Sequence, residues 1–184
     1  MSIVITGNPG TGKHTVSAKL AKELGYTILD LNQIAIKHGI FEKKDSTRDV
    51  DTKKLAKIIK KTISKDTIIV GHLAPYVIDR SQIKLAVILR KNPYKLISVY
   101  KRRNYSKTKQ TENAASEILG VIAYDSIKKF GLHKSHQIDT SDMTIKQTVN
   151  KVRLILKKKF KGDDMDWLGM VAKKNDFAKF FPNR

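Results

Sequence analysis

The chain has 184 residues and a mass of 20.8 kDa, the size of one domain, with 37 Lys and Arg against 17 Asp and Glu and a formal charge of +20. A hydrophobic fraction of 40% excludes wholesale disorder, and the lack of Cys excludes disulfides and thiolate metal sites. No apolar run approaches the roughly 20 residues of a membrane-spanning helix, and Met1 to Gly7 carries no secretory-signal pattern, so a cytoplasmic protein with no membrane partner is the expectation.

Ser2 to Thr6 is a short apolar run that reads as a buried strand. A Gly-rich segment, Gly7 to Lys13, follows it. Val16, Leu20 and Leu24 then recur at helical spacing, and Gly25 closes that helix. Tyr26 to Leu29 reads as a second strand. Asp30 can cap the next helix, with Gln33 completing a capping box. Residues 39–50 carry no period and read as a loop. Thr52 to Ile63 is helical, with Leu55, Ile58 and Ile59 on one face. Thr67 to Val70 and Leu85 to Leu89 are further strands. A basic helix runs from Pro93 to about Arg103, then a polar break from Asn104 to Lys109. One helix is expected over about 112–130, a short strand at Gln137-Ile138 and a helix over about 144–160. The strands are continuous apolar runs alternating with helices, which predicts an α/β fold with a parallel sheet covered on both faces. A basic tail, 161–184, can dock through Trp167, with its last dozen residues mobile.

The charge has two readings. It can be solubility and heat-adapted composition, or it can serve a polyanionic partner. Clustering favours the second: Lys91 to Gln110 holds seven basic residues and no acid, and four of the five residues from Lys157 to Lys161 are Lys. Tyr100, Tyr105 and Tyr124 lie near these cations and are candidates for stacking on RNA bases.

Gly7 and Gly12-Lys13 stand in the spacing G-x-x-x-x-G-K, after a predicted strand and at the start of a predicted helix. Glycines there let backbone N–H groups turn inward as an anion nest, and Lys13 adds a point charge for β- and γ-phosphates. The Ser or Thr that usually follows the Lys is His14 here, with Thr15 next. The pattern G-x-P-G-x-G-K-x-T resembles nucleoside-monophosphate kinases, which implies a Thr15 hydroxyl near the phosphates and magnesium. His14 either shields or protonates phosphate oxygens or is a tolerated residue of the first helical turn.

Residues 1–168 as a whole resemble the adenylate kinase isoenzyme six family, also known as the coilin-interacting nuclear ATPase. The resemblance is carried by the phosphate loop, the strand ending in Asp30, the turn Gly71-His72-Leu73-Ala74, and Arg103-Asn104-Tyr105-Ser106 followed by Glu112-Asn113 and Glu117-Ile118-Leu119. It implies a nucleoside-monophosphate-kinase-like three-layer sandwich over 1–160, with a monophosphate-binding segment at about 30–53 and a short lid at about 103–113. It also implies ATP and Mg2+ as cofactors, AMP or another nucleoside monophosphate as acceptor, and ATP hydrolysis. A role in small-subunit ribosomal RNA maturation follows from the same likeness, with a platform ribosomal protein and pre-ribosomal RNA as partners.

On that likeness Gly10, Gly12, Lys13, His14 and Thr15 hold the ATP phosphates and Arg103 closes over them. Asp30, at a strand's C-terminal end, orients the acceptor or a magnesium-bound water, caps a helix, or does both. His72 touches a water or serves only the turn. Arg48 grips the acceptor phosphate. Three departures qualify the resemblance. The carboxylate usual two residues before the turn histidine is Val70, for which Asp30 or Asp79 could substitute. The lid Gly is Asn104, and a second lid Arg is Thr111, for which Lys109 could compensate. Two alternatives to the kinase stand beside it: an ATP-driven ribosome-assembly switch with little kinase activity, and a P-loop kinase for another small metabolite.

Overall fold

The computed structural model describes residues 1–40, the backbone of 42–44 and 47–49, and residues 50–182. Five strands form one sheet: β1 (Ser2–Thr6), β2 (Thr27–Asp30), β5 (Thr67–Val70), β6 (Ile83–Arg90) and β7 (Ser135–Asp139). Their order is β2-β5-β1-β6-β7 and every pairing is parallel, with Ile3 opposite Ile68 and Leu85. The remaining strands, β3 (Glu42–Lys44) and β4 (Thr47–Asp49), pair as a separate antiparallel ribbon. The sequence reading took 39–50 as a loop. No apolar alternation marks these strands, so periodicity had nothing to detect.

Helices cover both faces because the central strands β1, β5 and β6 are buried on both. Ile3, Ile5, Val87 and Leu89 point to one side, against Val16 and Leu20 of α1 (Lys13–Leu24) and Val149 and Val152 of α8 (Ile145–Leu156). Val4, Ile69 and Ala86 point to the other. They meet α2 (Leu31–Lys37), α3 (Thr52–Thr62), the short α4 (Ala74–Val77) and Phe130 of α7 (Val121–Phe130). The three-layer parallel sandwich is thus the observed fold.

The helix expected over 112–130 is two. α6 (Lys107–Ile118) starts early, capped by Ser106, and ends before Gly120, whose φ of 65° caps α7 in the left-handed region. The break redirects the chain, and sequence periodicity ran through it because both helices are amphipathic. The polar break before α6 is correspondingly shorter than read.

A third apolar cluster lies off the sheet. Leu96 and Tyr100 of α5 (Pro93–Arg102) and Ala114 and Ile118 of α6 receive Val171 of α9 (Trp167–Lys173) and Phe180 of α10 (Phe177–Phe180). Trp167 packs against the same cluster, as expected. Within the last dozen residues, Phe180 is 1% exposed and stands edge-on to Tyr94 at 5.0 Å, while 183–184 lie outside the described residues. The Tyr94 hydroxyl also donates to Asp176 at 2.6 Å. The tail is therefore packed into the α5–α6 unit. Phe180→Ala should lower stability by about 3–5 kcal/mol, read as the shift of a urea unfolding midpoint at constant slope. A shift worth less than about 1 kcal/mol would mean that the tail packs weakly.

Candidate functional site

β1 ends at the centre of the sheet, and the loop after it crosses the C-terminal ends of the strands, where open α/β sheets bind ligands. Gly7 has φ 135° and lies so close to β6 that a Cβ would fall 2.2 Å from the Leu89 carbonyl oxygen. Gly10, φ 88°, sits under α5 with Leu96, Val99 and Tyr100 only 3.0–3.2 Å from the place of a Cβ. No side chain fits at Gly7, and at Gly10 any side chain would be strained by the positive φ and would press on α5.

A cavity of about 410 Å³ opens beside that loop. Gly10, Gly12, Lys13, His14 and Thr15 line one wall, His72 and Asn32 another, and Arg103, Tyr105, Lys109 and Asn113 the lid side. The structure therefore brings together every phosphate-loop residue singled out in the sequence, with His72 and Arg103. Asp30 stands at the edge, joined to the site through His14: imidazole Nδ1 and carboxylate Oδ2 are 3.0 Å apart. Its Oδ1 accepts the Asn32 and Gln33 amides at 2.9 and 3.2 Å. The cap and the site contact therefore coexist.

Lys13 is 5% exposed, and its Nζ donates to the Asn8 carbonyl at 3.3 Å. Burial, reinforced by the Arg103 charge and opposed by Asp30, lowers its pKa to about 8. The ammonium is thus charged at neutral pH but poorly compensated, a state that an anionic ligand relieves. His72 is pushed down to about 4 by burial and by the charges of Lys13 and His14, so it is a neutral imidazole near neutrality. Arg103 ends α5, and Asn104 adopts φ 53°, the left-handed turn expected of an Asn in the lid Gly's place. Lys109 does reach the cavity, with Nζ 4.3 Å from the Tyr105 ring centroid. Thr111 does not; it lines a separate groove beside Phe180.

Two expectations are corrected. Val70 is buried in β5, and Asp79 cannot replace the missing acid. Asp79 caps a 3-10 turn at Arg80–Gln82 and faces Lys129 at 3.6 Å, away from the cavity. Tyr100 is not a base-stacking surface: it is fully buried, donates to the Pro9 carbonyl at 2.8 Å and stacks on Tyr105. Arg48 sits in β4 opposite Lys43, and its side chain lies outside the described residues.

One residue carried no role in the sequence reading. Glu117, 0% exposed, sits on α6 and accepts Arg90 Nε at 2.6 Å, the Lys91 amide at 3.0 Å and the Asn8 side-chain amide at 2.7 Å. Arg90 reaches further, to the Glu117 carbonyl and to Gln137 of β7. The phosphate loop, the end of β6 and the lid helix are thus tied to one buried carboxylate. In the sequence Glu117 appeared only as part of the stretch that carries the family resemblance, with no role attached. Glu117→Ala should cost about 3–5 kcal/mol, because it strands a buried guanidinium. The Arg90→Ala/Glu117→Ala pair should lose less than the sum of the singles in denaturant unfolding; simple additivity would show that the ion pair is not coupled.

A second hollow of about 240 Å³ flanks Gly10–Gly12 on the opposite side, between Val99 and Arg102 of α5 and Thr140, Met143 and Ile145 before and in α8. Among the described residues no helix is long and apolar enough to cross a membrane.

Residues 3–120 match the family model described as an AAA domain. Relatives described as “Putative adenylate kinase” include one from Saccharolobus islandicus, 34% identical over 171 residues, covering 91% of this chain and 88% of the relative. Another, from Archaeoglobus fulgidus, is 33% identical over 177 residues, covering 91% and 92%. Among solved structures, shikimate kinase from Bacteroides thetaiotaomicron aligns with a TM-score of 0.58 at 16% identity, over 85% of this chain and 98% of that one. A gluconokinase from Sinorhizobium meliloti aligns with a TM-score of 0.53 at 16% identity, over 99% and 97%. At these identities the structural likenesses concern the fold.

Proposed function

The chain belongs to the AAA-domain family and groups with the archaeal relatives described as “Putative adenylate kinase”, and on that premise we propose that it is a nucleoside-monophosphate kinase that transfers the γ-phosphoryl group of ATP to AMP. One observation carries this reading: a buried, under-compensated Lys13 and a lid Arg103 face a single cavity at the loop's open end. Phosphoryl transfer asks mainly for positioning and charge neutralisation. The loop amides and Lys13 hold the β- and γ-phosphates, and Arg103 supplies charge to the equatorial oxygens as the bond to the leaving oxygen breaks. The hollow beside Met143 and Ile145 takes the ATP base, with Arg102 across it.

The acceptor's chemistry supports a monophosphate. A hydroxyl acceptor or water must lose a proton as it attacks. A phosphate monoester, with a second pKa of ~6, is already ionised at neutral pH. Among the described residues that line the cavity none is a carboxylate, His72 is held too low to act as a base, and the usual carboxylate position is Val70. Transfer to AMP therefore does not need the missing acid, whereas hydrolysis does, so ATPase activity is the weaker of the two. A divalent cation, magnesium in enzymes of this kind, would neutralise charge on the triphosphate; the Thr15 hydroxyl and Asp30 carboxylate are oxygen donors at the mouth of the site.

A second reading has its own observation. Lys53, Lys54, Lys57, Lys60 and Lys61 on α3, and Lys157, Lys158, Lys159 and Lys161 beyond α8, are exposed and face no phosphate site. They support a polyanionic partner such as pre-ribosomal RNA on a small-subunit platform protein, with the nucleotide cycle acting as a switch.

Purified protein with ATP and AMP should form ADP, and Lys13→Ala should abolish it. ATP turnover indifferent to AMP but raised by ribosomal RNA would favour the switch. Arg103→Ala should lower turnover roughly 100-fold or more with little change in ATP affinity. An unchanged turnover number removes Arg103 from the reacting centre.

A further inference from the structure

In the phosphate-loop motif, the residue after the Lys is a Ser or Thr whose hydroxyl binds the magnesium that accompanies the nucleotide. Here that residue is His14, an imidazole. The surrounding structure does not treat it as a neutral filler. Asp30 holds its Nδ1 at 3.0 Å, and the other oxygen of the same carboxylate is pinned by two amides of α2. The carboxylate is thus immobilised on both sides, and it fixes the ring's orientation. This is the carboxylate–histidine pairing that orients metal-binding imidazoles throughout protein metal sites. Nδ1 faces Asp30, and Nε2, the ring's other nitrogen, has no partner among the described residues. The side chain is half exposed and lines the cavity beside Thr15 and His72.

We propose that His14 is a nitrogen ligand for the divalent cation that enters with ATP, so that the site prefers cobalt, nickel or zinc to magnesium. The proposal rests on the reading of the cavity as an ATP site. Its chemistry is that of ligand class. Magnesium demands hard oxygen ligands in a near-ideal octahedron, and imidazole suits the later first-row cations. An imidazole beside the Thr15 hydroxyl therefore favours those cations over magnesium. Among the described residues no group of three or more His, Cys, Asp and Glu is placed to hold a metal ion. Phosphate oxygens and water must complete the shell, so the cation is recruited with the nucleotide and is not resident. Asp30 acts as a positioning residue through the ring.

The test uses the full chain with manganese–ATP as a spectroscopic probe and cobalt–ATP against magnesium–ATP in calorimetry. Pulsed electron paramagnetic resonance of the manganese complex should show a directly bound imidazole nitrogen. His14→Thr, which restores the usual hydroxyl on an exposed position, should remove that coupling, and His72→Gln should keep it. In calorimetry His14→Thr should shrink the cobalt-over-magnesium affinity ratio by roughly ten-fold or more, and Asp30→Asn, which still caps α2, should shrink it in part. Tight manganese–ATP binding without nitrogen coupling overturns the proposal while leaving the nucleotide site standing. So does coupling that survives His14→Thr, or an unchanged ratio. If ATP binds with none of these cations, the nucleotide reading fails and takes the proposal with it.

Discussion

The Glu117 carboxylate is the interaction on which the rest of the site depends. It is fully buried and balanced from two parts of the chain, by the Arg90 guanidinium and Lys91 amide at the end of β6 and by the Asn8 side-chain amide of the phosphate loop. A buried ion pair adds little net stability over an apolar substitute. Its worth here is geometric. The Asn8 amide belongs to the phosphate loop and Glu117 to α6, so the loop's curvature and the lid's position are set by a single group. Ser116, one residue before it, donates to the Asn8 side-chain oxygen at 3.1 Å, so both ends of the Asn8 side-chain amide are held by α6. The start of the loop is therefore anchored by protein contacts alone.

A second line of packing reaches the same loop from the far end of the chain. Phe180 and Val171 pack on Leu96 and Tyr100, and Tyr100 donates to the Pro9 carbonyl while its ring lies against Gly10. Tyr105, stacked on Tyr100, is also a wall of the cavity. The tail is thus mechanically continuous with the lid and the loop. Polar ties through Glu117 and apolar ties through Tyr100 hold the two sides of one short segment.

The charges in the cavity follow from that enclosure. Burial depresses Lys13 and His72 together, and the Lys13 charge further disfavours a proton on His72. Lys13 stays charged at neutral pH, beside Arg103, and the His72 imidazole stays neutral. Such a site attracts a polyanion and offers little proton-abstracting power. Both properties suit a phosphate acceptor better than water.

Local rules were enough to find most of the sheet, the loop and its ligand class. A strand of continuous β-branched residues, a Gly spacing and a Lys before an amphipathic helix act within a dozen residues, so Lys13 and the fold class were legible in order along the chain. Asn104 was legible too, because positive φ is a property of one residue. The rest depends on partners far apart in sequence. Asn8 and Glu117 are separated by 109 residues, and Tyr100 and Pro9 by 91, so no window of sequence displays them. Asp79 read as a candidate acid because its chemistry was right, but β5 and α4 carry it away from the cavity. Tyr100 read as a surface aromatic because its basic neighbours are exposed, but the tail and the loop bury it. Sequence chose the elements and the phosphate-binding chemistry. Only packing decided which charges meet, because burial and distance are set by contacts between segments that the chain order keeps apart.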